Sequence, residues 1–234
     1  MKPTPPPENP LLSLVVNILI PVLILNKGGH FISSQFTLLV ALCFPLAYGI
    51  QDYLRRKHKN YVSLVGMVNI LLTGSLALMS LNGIWFAFKE ATLPVILGCL
   101  VLFSARTKSP AAKILFCNPH VLNMALIEER LTLLGQESLF DKILKRTTLW
   151  LSLSFFISAT ANFLLALHIF EDIDSKLTSE EQMKVLNGQL AHMTSLGFAV
   201  VALPLMVFSG VLIYKFLKRV SVLIDVPVDS LMKS

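Results

Sequence analysis

Six long stretches of the chain are almost wholly apolar, and short polar segments separate them. They lie at about residues 10–25, 31–50, 62–81, 84–103, 148–170 and 193–216. None shows the alternation of a half-buried strand, and each is near the ~20 residues with which a helix crosses ~30 Å of hydrocarbon. The first is the shortest, and Asn9-Pro10 before it suits a helix cap and first turn. Pro21, Pro45, Pro94 and Pro204 fall inside the runs, where membrane helices tolerate kinks. The pattern predicts an all-α polytopic membrane protein: a six-transmembrane-helix bundle forming a single integral membrane domain over 1–234.

Composition supports that reading. Of the 234 residues, 54% are hydrophobic and only 15% charged, with a mean hydropathy of +0.69. Soluble domains carry about 25% charged residues, so this chain lacks the polar surface of a soluble enzyme or a disordered tail. The three cysteines, Cys43, Cys99 and Cys117, are odd in number and show no CxxC or zinc spacing. They read as reduced packing residues and exclude a secreted disulfide scaffold. At the N-terminus, Lys2 precedes an apolar run, but Pro3, Pro5, Pro6 and Pro7 are atypical of a signal peptide. The first alanine is Ala41, so no A-x-A site follows, and the segment is expected to be a retained first span.

The net charge of +6 gains meaning from where the charges sit. Arg55, Arg56, Lys57 and Lys59 follow the second run, and Arg106, Lys108, Lys113, Arg130, Lys142, Lys145 and Arg146 follow the fourth. Lys215, Lys218, Arg219 and Lys233 close the chain, and Lys2 opens it. With six spans these sixteen share one side, against Lys27, Lys176 and Lys184 on the other. The positive-inside rule then predicts a bacterial inner (plasma) membrane protein with cytoplasmic N- and C-termini, and the basic excess needs no nucleic acid.

Two connections carry signals of their own. In the cytoplasmic connection 104–147, Asn118-Pro119 is expected to start a helix that Gly135 ends, with Val121, Leu122, Ala125, Leu131 and Leu134 apolar. Ser138–Arg146 then feeds into the fifth span with Leu139, Ile143 and Thr147 on one face, lying on the membrane surface or packing under the bundle. Outside, Ser179 and Gln182 read as a capping box opening a helix with Met183, Leu186, Leu190 and Met193 on one face. Weak echoes suggest an inverted 3+3 repeat. Asn17-x3-Pro21 resembles Glu90-x3-Pro94, the run from Thr37 resembles that from Thr148, and Ser63–Gly66 faces Ser195–Gly197.

Lys89 and Glu90 are the sharpest candidates for chemistry, because ionisable groups inside a span are costly and commonly functional. They lie ~10 Å into the fourth span at 1.5 Å per residue. Neighbours on a helix point about 100° apart, so nothing in the sequence requires them to pair. Either Glu90 is proton- or ion-linked with Lys89 balancing it, or Lys89 snorkels and a neighbour's amide holds a buried Glu90. Asn162, at comparable depth in the fifth span, is a candidate for that amide; Asn17 and Asn69 lie nearer the cytoplasmic ends of spans one and three. Interhelical hydrogen bonding is the commoner role of such an asparagine for all three. Lys89, Glu90, Asn162, Asn17 and Asn69 together make the candidate intramembrane polar site.

The remaining polar groups are less specific. Asp52 sits beside Arg55 and Arg56, as in an interfacial ion pair, and the basic cluster at 55–59 suits anionic lipid head groups as well as topology. His168, Glu171, Asp172, Asp174, Glu180, Glu181 and His192 gather in the outer loop without metal-ligand spacing, and read as a solvated acidic loop. Trp85, Phe86 and Phe88 suit an outer aromatic belt and Trp150 an inner one. The chain has no G-x-S-x-G, HExxH, Walker or Rossmann fingerprint, so no enzyme, cofactor or metal is predicted. The expected partners are the lipid bilayer and other membrane proteins or a second copy.

The order of several features resembles bacterial intracellular septation protein A and its six-span relatives. The matching pieces are Lys89 after an aromatic run, the Arg106-Thr-Lys108-Ser-Pro110 turn, Ala161-Asn162 in span five, and Ser209-Gly210-Val-Leu-Ile-Tyr214 in span six. Glu90 and the segment from about Cys117 to Phe140 have no clear counterpart there, which points to a distant relative with its own role. The resemblance implies a non-enzymatic inner-membrane protein of cell-envelope maintenance or division, acting through protein contacts. The charged pair and the echoes motivate a second expectation: a small solute or ion transporter using Lys89, Glu90, Asn162 and Asn17.

Overall fold

A computed structural model describes residues 15–56, 71–77, 83–119 and 121–233. Regular structure among them is helical, apart from one isolated antiparallel bridge between Leu122 and Met232. A short apolar helix, α1 (Ile20–Lys27), is followed by α2 (Ser34–Arg56), a helical stretch α3 at 71–77, and α4 (Ile84–Ser104). Next come α5 (Ala111–Phe116), α6 (Met124–Leu134) and the 33-residue α7 (Glu137–Ile169). The chain closes with α8 (Ser179–Leu196), α9 (Leu203–Ile224) and α10 (Val228–Leu231). Among the described residues, four helical segments are long and apolar enough to cross a membrane: Ser34–Gln51, Ile84–Ser104, Glu137–Ile169 and Ser179–Ile224. They match runs two, four, five and six. The first run begins, and most of the third lies, outside the described residues.

Two π-helical turns have one cause. Val15–Leu19 precedes α1 and Gly197–Ala202 joins α8 to α9, and a proline follows each within the first two residues of the next helix, Pro21 and Pro204. Proline lacks the N–H that would bond four residues back, and its ring crowds that carbonyl, here Asn17 and Val200. Both residues sit inside the widened turns. Pro45 and Pro94, by contrast, lie within α2 and α4.

The described residues group into two compact units, drawn from Met1–Ala91 with Ala161–Val200 and from Thr92–Thr160 with Val201–Ser234. In the first unit α1, α2 and α8 pack together, and Leu38, Ala41, Phe86, Ala166, Phe170 and Leu190 are among its core. Phe86 stacks on Phe170 with ring centroids 4.5 Å apart. Gly83, at φ +56, turns the chain into α4, and a Cβ there would lie 2.8 Å from Asp172 Oδ1, so both the turn and the close approach require glycine. The capping box of α8 falls one residue earlier than expected. Thr178 Oγ1 accepts from the Glu181 N–H at 3.3 Å, and the Glu181 carboxylate accepts from the Thr178 N–H at 2.9 Å. Gln182 instead donates to the Leu177 carbonyl at 3.1 Å. Thr178 wins because the residue three beyond it carries a carboxylate, which takes the orphan N–H more strongly than an amide does. The face of Met183, Leu186, Leu190 and Met193 is buried, as its spacing predicts.

The second unit holds a separate core of Ile127, Leu131, Phe140, Leu144, Phe216 and Leu231, among others. Helix α6 is capped by Asn123, whose side chain accepts from the Leu126 N–H at 3.2 Å, and not by Asn118-Pro119. The Asn118 carbonyl closes a turn on Val121 and Leu122 instead, which sets residues 121–123 against the C-terminal tail. Gly135 ends α6 at φ +62 as read. The buried face at the start of α7 is Phe140, Leu144, Thr147 and Thr148, whereas Leu139 is exposed. Phe140 and Leu144 face the core with Phe216, so this segment packs against the unit. Asp225, in the left-handed region at φ 53, stops α9. The tail then returns: the Asn123 N–H donates to the Leu231 carbonyl at 2.9 Å and the Lys233 N–H to the Val121 carbonyl at 2.8 Å.

Hydroxyls bind α4, α5 and α7 within this unit. Ser152 Oγ donates to the Gly98 carbonyl at 2.9 Å. A Cβ at Gly98 would meet Phe156 at 3.1 Å and Phe155 at 3.3 Å, so the missing side chain permits this close approach. Thr148 Oγ1 accepts from the Ala112 N–H at 3.1 Å and donates to the Leu144 carbonyl at 2.9 Å.

Candidate functional site

Lys89 and Glu90 are the sixth and seventh residues of α4 and bond to each other, Lys89 Nζ lying 2.6 Å from Glu90 Oε1. Their side chains are 7% and 21% exposed. The four-carbon stem of lysine spans the ~100° between adjacent positions, so each partly buried charge finds its partner on the neighbouring residue. The pair is therefore a neutral, strongly dipolar unit with acceptor and donor capacity left over. Phe86 and Ala87, just before it, are fully buried, and Phe88 meets Phe163 of α7 with ring centroids 5.4 Å apart.

The other candidates fall at different places. Asn162 is half-buried on α7 beside Phe163, so the Phe88–Phe163 contact brings residues 162–163 alongside 88–89. Asn17 is half-buried in the π-turn before α1, on another helix. Asn69 lies outside the described residues. The sequence-predicted set thus resolves into one direct ion pair, one amide on the adjacent stretch of α7, and Asn17 on a separate element.

A second polar node was not anticipated. At the start of α2, the buried Ser34 donates its N–H to Glu180 Oε1 at 2.7 Å, and its carbonyl accepts from Asn187 Nδ2 at 2.8 Å. Asn187 is buried too, and its Oδ1 has no hydrogen-bond partner among the described residues. Two side chains of α8 therefore clamp the N-terminus of α2. The sequence held one signal for this: Asn187 sits between Met183 and Leu190 on the apolar stripe of α8, where a polar residue needs a partner. Glu180, ahead of the apolar run 193–216, is held below the usual carboxylate value by the Ser34 N–H, and Glu181 by that of Thr178. These two acids serve as caps. Among the described residues, no group of three or more His, Cys, Asp or Glu side chains is placed to hold a metal ion.

The three thiols differ in environment. Cys117 is buried, and desolvation pushes its thiol up to about 11, so it is protonated and unreactive near neutrality. Cys43 is exposed in a shallow groove of about 650 Å³ lined by Val16, Cys43, Phe44, Ala47, Tyr48 and Gln51. No family model, curated protein or solved structure matches the chain, so the resemblance to septation protein A rests on the sequence motifs that suggested it.

Proposed function

We propose that this chain is a non-enzymatic, six-span protein of the bacterial inner membrane with both termini in the cytoplasm. It works in cell-envelope maintenance or division through contacts with other membrane proteins or a second copy. The four long apolar helices support the membrane setting, and the sixteen-to-three distribution of Lys and Arg supports the orientation.

The observation that carries the interaction reading is the layer built in the second unit by α5, α6, the start of α7, the end of α9 and the returning tail. It has its own core, yet Ile114, Leu133 and Val222 stand 68%, 71% and 76% exposed. Lys113, Arg130 and Arg219 are close to them in sequence, and the charge rule assigns these segments to the cytoplasm. Large apolar side chains left in water on a folded layer mark a contact surface. The test is complementation of a deletion strain by Leu133→Glu and Val222→Glu variants at wild-type abundance. Loss of complementation, together with loss of a crosslink from a photoreactive residue at position 115, is expected. Full complementation by both variants sinks the reading.

The partly buried ion pair in a candidate span favours one other reading, a small solute or ion transporter centred on Lys89 and Glu90 with inverted halves. Cysteine at position 90, in a chain lacking Cys43, Cys99 and Cys117, separates the two. Labelling by a small membrane-impermeant thiol reagent from either side favours transport. Protection from both sides in a folded protein makes the pair structural.

A further inference from the structure

The short helix α5 is anchored on three neighbours. Ser104 Oγ, at the end of α4, accepts from the Ala111 N–H at 2.9 Å, and Thr148 Oγ1 of α7 accepts from the Ala112 N–H at 3.1 Å. The Phe116 ring meets that of Phe216 on α9 with centroids 5.8 Å apart. Two exposed aromatic residues mark the depth of this junction. Trp150 and Tyr214 each lie two residues from an anchor, Thr148 and Phe216, or ~3 Å along the helix at 1.5 Å per residue. In a bilayer such side chains settle at head-group level, which brings α5 to that level too.

The charges around α5 are of one sign. Arg106 and Lys108 stand in the turn before it, Lys113 on it, Lys145 and Arg146 just before Thr148, and Lys215 beside Phe216; all six are exposed. No Asp or Glu occurs in 104–117, 142–160 or 201–224. The acids of this unit stand on α6, near the start of α7 and after α9. Among the described residues none of the six cations forms an ion pair, not even Lys145 with Asp141 one turn before it.

We propose that the cationic face around α5 binds an anionic phospholipid, with the head-group phosphate held by Lys113 and Lys145. Lys113 follows Ala112, and Lys145 precedes Thr148 by one turn, so both stems leave the backbone close to the Ala112–Thr148 hydrogen bond. Arg106 and Lys215 add to the same positive potential. The inference rests on the bilayer setting proposed above, which brings these residues to a leaflet surface. There each unpaired cation raises affinity for a net negative head group by about fivefold, and a zwitterionic head group offers no net charge to attract. Convergence separates this face from a general excess of basic residues. Three stretches remote in sequence bring their cations to one short helix, where a single head group meets several at once.

The test uses the full-length protein in mild detergent, with native mass spectrometry after addition of phosphatidylglycerol or phosphatidylcholine. Phosphatidylglycerol is expected to be retained at least about fivefold over phosphatidylcholine. Lys113→Gln/Lys145→Gln should cut phosphatidylglycerol retention on the order of 25-fold, about fivefold per cation, and leave phosphatidylcholine unchanged. Lys176→Gln/Lys184→Gln removes the same charge from exposed positions in the first unit, and should change retention by less than about twofold because distant charges are screened. Protection of the buried Cys117 from maleimide reports whether each variant is folded, and Lys113→Gln/Lys215→Gln decides the matter if Lys145→Gln is not. Equal retention of the two lipids, or equal losses in the two double variants, overturns the proposal. Carbonate extraction of native membranes separates the two levels. Release of the protein refutes the bilayer setting, whereas a retained protein without lipid preference refutes the lipid site alone.

Discussion

The Lys89–Glu90 pair permits a test in which one substitution destabilises and a second restores. At 2.6 Å, two unit charges attract by about 6 kcal/mol at an effective dielectric of ~20. Taking each out of water costs several kcal/mol, so the intact pair is close to neutral against two apolar side chains of similar size. Removing one partner is different, because the survivor loses the attraction and keeps most of the desolvation. Fully buried pairs broken this way lose roughly 3–5 kcal/mol. With Glu90 21% exposed and Lys89 able to snorkel, about 2–3 kcal/mol is the expected loss for Glu90→Leu. Lys89→Met should cost a similar amount, since it strands Glu90. The double variant Lys89→Met/Glu90→Leu should return to within about 1 kcal/mol of the parent. The assay is reversible denaturant unfolding in detergent, read by near-UV circular dichroism, with the four proteins forming a double-mutant cycle. A coupling energy below about 0.6 kcal/mol, the average for polar contacts between membrane helices, would refute the reasoning. The two groups would then be solvated independently.

Three further outcomes are expected. Asn187→Leu removes the donor to the Ser34 carbonyl and should destabilise the first unit by about 1–3 kcal/mol, seen as faster hydrogen exchange at the start of α2; unchanged exchange contradicts the clamp. The Glu180 and Glu181 carboxylates have folded values below the ordinary 4.5, so their contributions are complete above it and fade as pH falls through the folded values. Paired Glu180→Gln and Thr178→Ala substitutions should flatten the acid-side fall of the melting temperature, and an unaltered slope counts against the caps. Gly98→Val pushes a branched side chain into Phe155 and Phe156 and should cost about 1–3 kcal/mol, checked by the same unfolding assay, with a neutral result showing that the α4–α7 contact is loose.

The sequence by itself determined the helical class, four long apolar helices and some of their ends. Runs of about 20 apolar residues admit no other element in hydrocarbon, and four of the six recur as helices long enough to span it. Local chemistry sufficed at Gly135, where a left-handed cap needs glycine, and along Met183–Met193, where the period alone marks the buried face. It was insufficient wherever two residues offered the same local chemistry. Asn118 and Asn123 both suit a cap, as do Thr178 and Ser179, and the choice depended on a tail more than a hundred residues away or on which neighbour carried a carboxylate. The buried face of α7 shifted from Leu139 to Phe140 and Leu144 because α6 and α9 were there to receive them. The polar site divided the same way. Sequence singled out Lys89 and Glu90 as costly, since charge in an apolar run is visible without coordinates. Only tertiary structure joined them, and only it brought Ser34, Glu180 and Asn187 together, because a hydrogen bond between residues about 150 positions apart leaves no periodic trace in the chain.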